Sequence, residues 1–376
     1  MRLTELHLEQ FRSYEKLHLT FDESERQLFV GENGEGKSNL LEAISFLSMG
    51  RSCLRAQSED VLRWGTDFFR VRGCVISDEG TSSTLEYVFQ KSPRRSAAMF
   101  LQDVRTPLLH FIGALPTIVF LPQDLGMFTG SPSARRGFLD ALLSQLKPDF
   151  AGHRIEYEQI LKQRNALISR IADGEASLDE LDLWDGRLAT AAAALTEERD
   201  ECIALFNETL SATVVTLGEA EWSGARILHE RKTRSSDAAS IEVELLELFA
   251  TCRQKDIALR ATTVGPHRDD WHIQALGHDI ATFASRGQQR AALLALLLTS
   301  AKLFEQVRGE RPVILLDDVL SEFDAHHQQA LLTSLAGHQV MITSAHQVKL
   351  KGEASVWKVG DGKVERAELN VESKRA

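Results

Sequence analysis

Residues 27–47 read QLFVGENGEGKSNLLEAISFL, and the order of the parts decides the fold class. Leu28, Phe29 and Val30 form a short apolar run of strand type. Residues 31–38, GENGEGKS, fit the pattern G-x-x-x-x-G-K-S. Leu40, Leu41, Ile44 and Leu47 then recur at helical spacing. Strand, glycine-rich turn and helix in that order are the context a phosphate-binding P-loop requires. Gly31, Gly34 and Gly36 permit backbone conformations closed to residues with a Cβ. The amides of the loop, including those of Glu32, Asn33 and Glu35, can then point inward around phosphate oxygens at a positive helix end. In such a loop Lys37 reaches the β- and γ-phosphates of ATP, and the Ser38 hydroxyl binds Mg²⁺.

The rest of the chain is consistent with a soluble protein of two lobes. Its 376 residues are 43% hydrophobic and 26% charged, ordinary values for a globular protein. The net charge of −11 argues against coating nucleic acid by bulk charge but leaves room for a local basic surface. Cys53, Cys74, Cys202 and Cys252 are scattered without a C-x-x-C pair, and read as reduced thiols rather than a disulfide framework or zinc site. The first residues lack a signal-peptide core, and no apolar run is long enough to span a bilayer. A cytoplasmic protein is expected.

Leu6 and Leu8, then Leu17, Leu19 and Phe21, alternate with polar residues as in half-buried strands feeding the P-loop strand. Alternation near residues 69–75, 85–89 and 98–102 predicts a small antiparallel sheet. From about residue 123 to 261 apolar residues recur at helical spacing, which predicts a helical lobe. From Gly265 the chain reads as α/β again, with a buried strand at 313–316, a helix at 325–335, a strand at 340–343 and a closing hairpin around Gly360–Gly362. The expected division is residues 1–122 with 262–376 in lobe I, and 123–261 in lobe II.

Two motifs outside the P-loop have the right chemistry to complete a site. The run PVILLDD (312–318) is an apolar strand ending in two acids. In P-loop enzymes an acid at the end of a neighbouring strand holds Mg²⁺ opposite the P-loop hydroxyl. Asp317 suits that role, and Asp318 could orient or deprotonate the attacking water. Residues 285–290, SRGQQR, precede a strongly apolar helix, with Ser285 placed as its N-cap and Gly287 letting an anion approach the free amides.

S-x-G-Q-Q followed by LLDD-x-x-S-x-x-D resembles the signature and Walker B motifs of ABC-type ATPases. That resemblance implies that Ser285, Gly287 and Gln288 of one subunit bind the γ-phosphate held by the P-loop of another. It also implies that Gln123 is a Q-loop residue in the metal shell, Asp324 the D-loop acid and His346 a switch histidine at the γ-phosphate. Within the class the match is closest to the RecF recombination-repair family, through FRSY (11–14), GENGEGKSNLLEAI, GRSCLR (50–55), LPQDLGMFTGSPSARRGFLD (121–140), GPHRDD (265–270) and SRGQQR. The resemblance is collinear over nearly the whole chain. It departs from the family in small ways: Ser38 stands where Thr is also common, and Gln123 where an acid is frequent.

The fold implied is an ABC-ATPase-like P-loop head, a mixed sheet plus an antiparallel β subdomain, with an inserted mostly helical lobe. The activity implied is slow ATP hydrolysis as a conformational switch: a homodimer formed on ATP, bound to double-stranded DNA at single-strand gaps. Its partners would be RecR and RecO, and through them RecA. Asp318, one methylene shorter than the glutamate usual in fast ABC enzymes, fits slow turnover. Arg51, Arg55, Arg94, Arg95, Arg135 and Arg136 are the phosphate-contact candidates. Three rivals fit less well. A transporter ATPase lacks a reason for the helical lobe and GPHRDD. An SMC-type head needs a longer coiled coil than about 150 residues between Gln123 and Ser285 provide. A non-hydrolysing clamp has no use for intact catalytic motifs.

Overall fold

A computed structural model describes residues 1–345 and 354–367. The chain divides into two compact units, one of Met1–Leu125 with the chain from Arg290 onward, the other of Gly126–Gln289.

The first unit holds two six-stranded sheets. The antiparallel sheet runs in the order β2 (Tyr14–Thr20), β1 (Arg2–Phe11), β4 (Phe68–Ile76), β5 (Ser82–Gln90), β6 (Ser96–Leu101) and β7 (Val104–Thr106). Of the two N-terminal strands, β1 pairs with β4 and β2 with β1, so both lie in this sheet rather than beside the P-loop strand. A bulge between Leu3 and Glu5 resets the alternation, so that Leu3, Leu6 and Leu8 all face the core. The second sheet has the order β15 (Lys363–Arg366), β14 (Ser355–Gly360), β3 (Arg26–Val30), β13 (Val340–Ser344), β12 (Val313–Asp317) and β8 (Thr117–Phe120). All its neighbours are parallel except the β14–β15 hairpin. Every residue of β12 and β13 is buried, as expected of parallel strands covered on both faces. Helix α1 (Lys37–Met49) contributes Leu40, Leu41, Ile44, Phe46 and Leu47 to one core shared with residues of both sheets. Phe11, Phe46 and Phe69 pack edge to face at its centre. A single turn, α2 (Leu108–Phe111), precedes β8.

The second unit is built on α3 (Pro132–Leu146), α4 (Pro148–Ala172), the 36-residue α5 (Leu181–Thr216) and α6 (Ala238–Leu259). It is less purely helical than its sequence suggests. A three-stranded antiparallel sheet joins β9 (Arg226–Glu230), β10 (Asp270–Ala275) and β11 (His278–Asp279), followed by the short α7 (Ile280–Phe283). This corrects the expected return to the first lobe at residue 262: the return falls at 290. The cause is β10. It pairs with β9 from Asp270↔Glu230 to Gln274↔Arg226, and its buried Trp271 donates from Nε1 to the Arg135 carbonyl at 2.8 Å. The helix core also holds an ion cluster: fully buried Arg164 bonds Asp185 at 2.7 Å, and Asp256 and Thr262 at 2.8 and 2.7 Å. Helix α8 (Arg286–Arg308) starts in this unit and continues in the other. Helix α9 (Ala325–Ser334) lies in the first unit.

Candidate nucleotide site

Strand β3 runs between β13 and β14, and at Val30 the chain turns through residues 31–36 into α1. Two of the loop glycines are required. A Cβ on Gly31 would lie 2.1 Å from the carbonyl oxygen of Val359 on β14. Gly36, at φ 101°, would place a Cβ 2.6 Å from Ser13 Oγ, and its carbonyl accepts from Tyr14 Oη at 3.0 Å. Glu35 accepts from the Asp361 amide in the C-terminal hairpin at 2.8 Å. The loop is thus braced by the β1–β2 turn on one side and by the last hairpin on the other. The N-terminus of α1 has no side-chain cap and no acid in its first turn, which leaves its amide dipoles for an anion.

Lys37 is buried and donates from Nζ to the carbonyls of Gly31 and Glu32, at 2.7 and 2.8 Å. Ser38 Oγ donates to Asp317 Oδ1 at 2.8 Å, and Thr343 Oγ1 donates to the same oxygen at 2.6 Å. Asp318 takes a left-handed backbone, φ 48°, in which its amide donates to Thr343 Oγ1 at 2.9 Å. Sequence reading placed Thr343 on a strand but gave it no role at the site; a hydroxyl on the strand beside the two acids was the available signal. Pairing of Phe120 with Leu316 in parallel brings Gln123, in the turn after β8, out at the same carboxyl edge of the sheet as Asp317. That edge is where parallel α/β sheets bind ligands. Asp324 caps α9, accepting from the His327 amide at 2.9 Å. His346 lies outside the described residues.

Behind the loop, Arg12 makes a two-pronged pair with Glu42 of α1, both bonds at 2.8 Å, and Glu42 is fully buried. Ser52 Oγ donates to the same carboxylate at 2.5 Å. The Arg12 guanidinium is correspondingly held above its ordinary pKa by Glu42.

In the second unit Ser285 caps α8 as read from sequence. Its Oγ accepts from the Gln288 amide at 3.2 Å, and Gln288 Oε1 accepts from the Ser285 amide at 3.0 Å, a reciprocal capping box. Ser285 and Gly287 are exposed, while the Gln288 side chain is further engaged by Glu219 at 3.2 Å.

The basic candidates separate. Arg51, Arg55, Arg94 and Arg95 are exposed, Arg95 within 3.4 Å of Glu59. Arg135 must be withdrawn from the phosphate-contact set. It is buried, grips Asp270 through two bonds of 2.8 and 2.7 Å, and donates to the carbonyls of Met127, Phe128 and Gly130. An arginine with a carboxylate and three carbonyls around it is a structural staple. Arg136 donates to the Asp269 carbonyl at 2.6 Å.

The chain matches the RecF/RecN/SMC N terminal domain family over residues 2–364. It is 31% identical to the DNA replication and repair protein RecF of Heliobacterium modesticaldum, over 98% of this chain and 100% of that one. The chain belongs to the RecF family. The RecF of Geobacillus thermodenitrificans is 33% identical over 97% of this chain and 99% of its own. A solved structure of the recombination mediator protein RecF-ATP in the RecFOR pathway superimposes with TM-score 0.87 at 29% identity, covering 97% of each chain. An SMC head bound to the C-winged helix domain of ScpA shares the fold alone, with TM-score 0.57 at 16% identity and 98% of each chain covered. As a RecF-family chain with this fold, the protein is an ABC-type ATPase. Among the described residues no helix is long and apolar enough to cross a membrane.

Proposed function

We propose that the protein is an ATP-driven DNA switch of recombinational repair and replication restart. Two copies close on ATP and bind duplex DNA at single-strand gaps. With RecR and RecO as partners they help place RecA, and slow hydrolysis reopens the pair. The observation behind the reading is the convergence of Ser38 and Asp317 at 2.8 Å beside buried Lys37 and an uncapped helix. That donor set fits a nucleotide phosphate with Mg²⁺, and a related RecF has been solved as RecF-ATP.

Ser38, Asp317 and Gln123 would hold the metal, which when bound offsets charge on the phosphate oxygens. Lys37 exchanges the Gly31 and Glu32 carbonyls for phosphate oxygens. Asp318, its amide fixed by Thr343, holds and deprotonates the attacking water. His346 serves at the γ-phosphate. The exposed first turn of α8, with Ser285 and Gly287, is the surface a second copy offers to that phosphate, so each site is completed by the partner. Arg51, Arg55, Arg94 and Arg95, with Arg136, remain the DNA-contact candidates.

Sedimentation with and without ATP and Mg²⁺ tests the reading. The expected result is an ATP-dependent monomer-to-dimer shift, lost in Lys37→Met and in Ser285→Arg. A wild type that binds ATP yet stays monomeric, with gapped DNA present or absent, would overturn the shared site.

A further inference from the structure

On the face of the antiparallel sheet turned from its core, three strands bring four metal-ligand side chains together. Glu5 and His7 alternate along β1 with the buried Leu6 and Leu8. In register, His18 of β2 stands opposite His7, and Cys74 of β4 opposite Glu5. Glu5 Oε2 is the centre of the group. It lies 3.0 Å from His7 Nε2, 3.7 Å from His18 Nε2 and 3.7 Å from Cys74 Sγ. The donor atoms of Glu5, His7 and His18 all fall within 4.8 Å of one another. The two imidazoles stack at 3.9 Å and 16°, so both Nε2 atoms approach the one carboxylate.

A surface ion pair needs one histidine for one carboxylate. Here two stacked rings and a thiol share a single oxygen. In a tetrahedral zinc site, bonds of about 2.0–2.1 Å to N and O and 2.3 Å to S set neighbouring ligand atoms about 3.3–3.6 Å apart. Glu5, His7 and His18 lie near those separations before any ion arrives, and Cys74, 3.7 Å from the Glu5 carboxylate, joins them by rotation of its side chain. Nitrogen and sulfur donors also select against Mg²⁺ and Ca²⁺, which take oxygen.

We propose that Glu5, His7, His18 and Cys74 form a Zn²⁺ site that ties β1, β2 and β4 together. The surrounding charges favour a cation. Arg72, opposite His7, is taken up by Glu86 at 3.1 Å and Asp103 at 2.9 Å, and Glu9, next along β1, faces Arg70 at 3.5 Å. Cys74 lies 3.7 Å from the Glu5 carboxylate, and on binding the ion its thiol gives up a proton to water. The scattered cysteines argued against zinc along the sequence; strand register assembles the set instead. The same β1–β2 hairpin carries Arg12 and Tyr14 to Glu42 and Gly36, so an ion at its base would stiffen the brace of the P-loop.

The test is titration of the full-length, chelator-stripped protein with Co²⁺, followed by displacement with Zn²⁺. One Co²⁺ per chain is expected, with tetrahedral visible bands and a thiolate charge-transfer band that the all-oxygen phosphate site cannot give. Cys74→Ser removes the charge-transfer band, and His18→Ala weakens Zn²⁺ binding at least about tenfold. His326→Ala, in the other histidine-carboxylate group at Asp324, leaves both unchanged. Absence of tetrahedral bands, or a charge-transfer band that survives Cys74→Ser in a folded protein, overturns the proposal.

Discussion

Ser38 and Asp317 share a 2.8 Å hydrogen bond across 279 residues of chain, and Thr343 closes on the same carboxylate oxygen from the adjacent strand. Asp317→Asn keeps the shape and removes the charge. Mg²⁺-dependent ATP hydrolysis is expected to fall by about a hundredfold or more, the scale of several kcal/mol that a positioned metal contributes. Steady-state kinetics against Mg²⁺ concentration checks this; an unchanged rate would displace Asp317 from the metal. Thr343→Val removes a partner of both Asp317 and the Asp318 amide and should cost about 1–3 kcal/mol in thermal or denaturant unfolding.

Gly31 and Gly34 separate steric from conformational need. Alanine at 31 meets the Val359 carbonyl at 2.1 Å, so β14 or the loop must move, and nucleotide binding should be lost. Alanine at 34 meets nothing within 4 Å but sits at φ 92°, a cost of about 1 kcal/mol with binding largely retained. Titration with a fluorescent ATP analogue distinguishes the two. Equal losses would mean that the Val359 contact is immaterial.

Arg12→Ala leaves the buried Glu42 carboxylate without its two-pronged guanidinium partner, with Ser52 still donating to it. We expect a loss of about 2–3 kcal/mol, below the roughly 3–5 of a fully buried pair because Arg12 retains some access to water. Adding Glu42→Gln should recover much of it, and a double-mutant cycle in urea measures the coupling.

Two groups in residues 265–270 titrate against each other. Burial lowers His267 to about 4, its ring held between Tyr157 Oη at 2.5 Å and the Thr262 carbonyl at 3.0 Å. Between about pH 6.5 and 4 the unfolded chain then binds the extra proton, so this contribution falls as pH falls. Burial raises Asp269 to about 6 against the pull of His229, Arg199, Arg231 and Arg136. From about pH 4 to 6 the folded chain binds the extra proton there, so this contribution falls as pH rises. Each amounts to at most about 3 kcal/mol, and they oppose. His267→Gln should make melting temperature rise toward pH 4 relative to wild type, and Asp269→Asn should make it fall. Parallel curves for all three proteins from pH 4 to 7 would reject the pairing.

Arg135→Ala should lower stability by about 3–5 kcal/mol by stranding Asp270 and three carbonyls. Arg94→Ala with Arg95→Ala should leave unfolding unchanged and reduce the salt dependence of DNA binding by about one unit of slope per residue. An unshifted slope removes that turn from the DNA surface.

Legibility followed locality. The P-loop, the acids after β12 and the Ser285 cap were readable because glycine pattern, apolar run and cap each fit within a few neighbouring residues. Arg135 was misread because its partner, Asp270, lies 135 residues away, and a lone surface-type arginine shows no sign of that. The place of β10 was hidden for the same reason: its partner β9 is five residues in a stretch read as helical. The bulge in β1 and the cross-strand gathering of Glu5, His18 and Cys74 are properties of register, which alternation alone does not set.

The position of β3 between β13 and β14 has a consequence for synthesis. The residues that cradle phosphate leave the ribosome well before the strands on either side of β3, at Val340–Ser344 and Ser355–Gly360. A nascent or prematurely terminated chain therefore carries the complete GENGEGKS motif with neither neighbour in place, and Gly31 has no Val359 to rest against. Nucleotide capture thus waits on pairing of β3 with strands more than 300 residues away in sequence, so a chain stopped before Val340 is expected to hold ATP poorly.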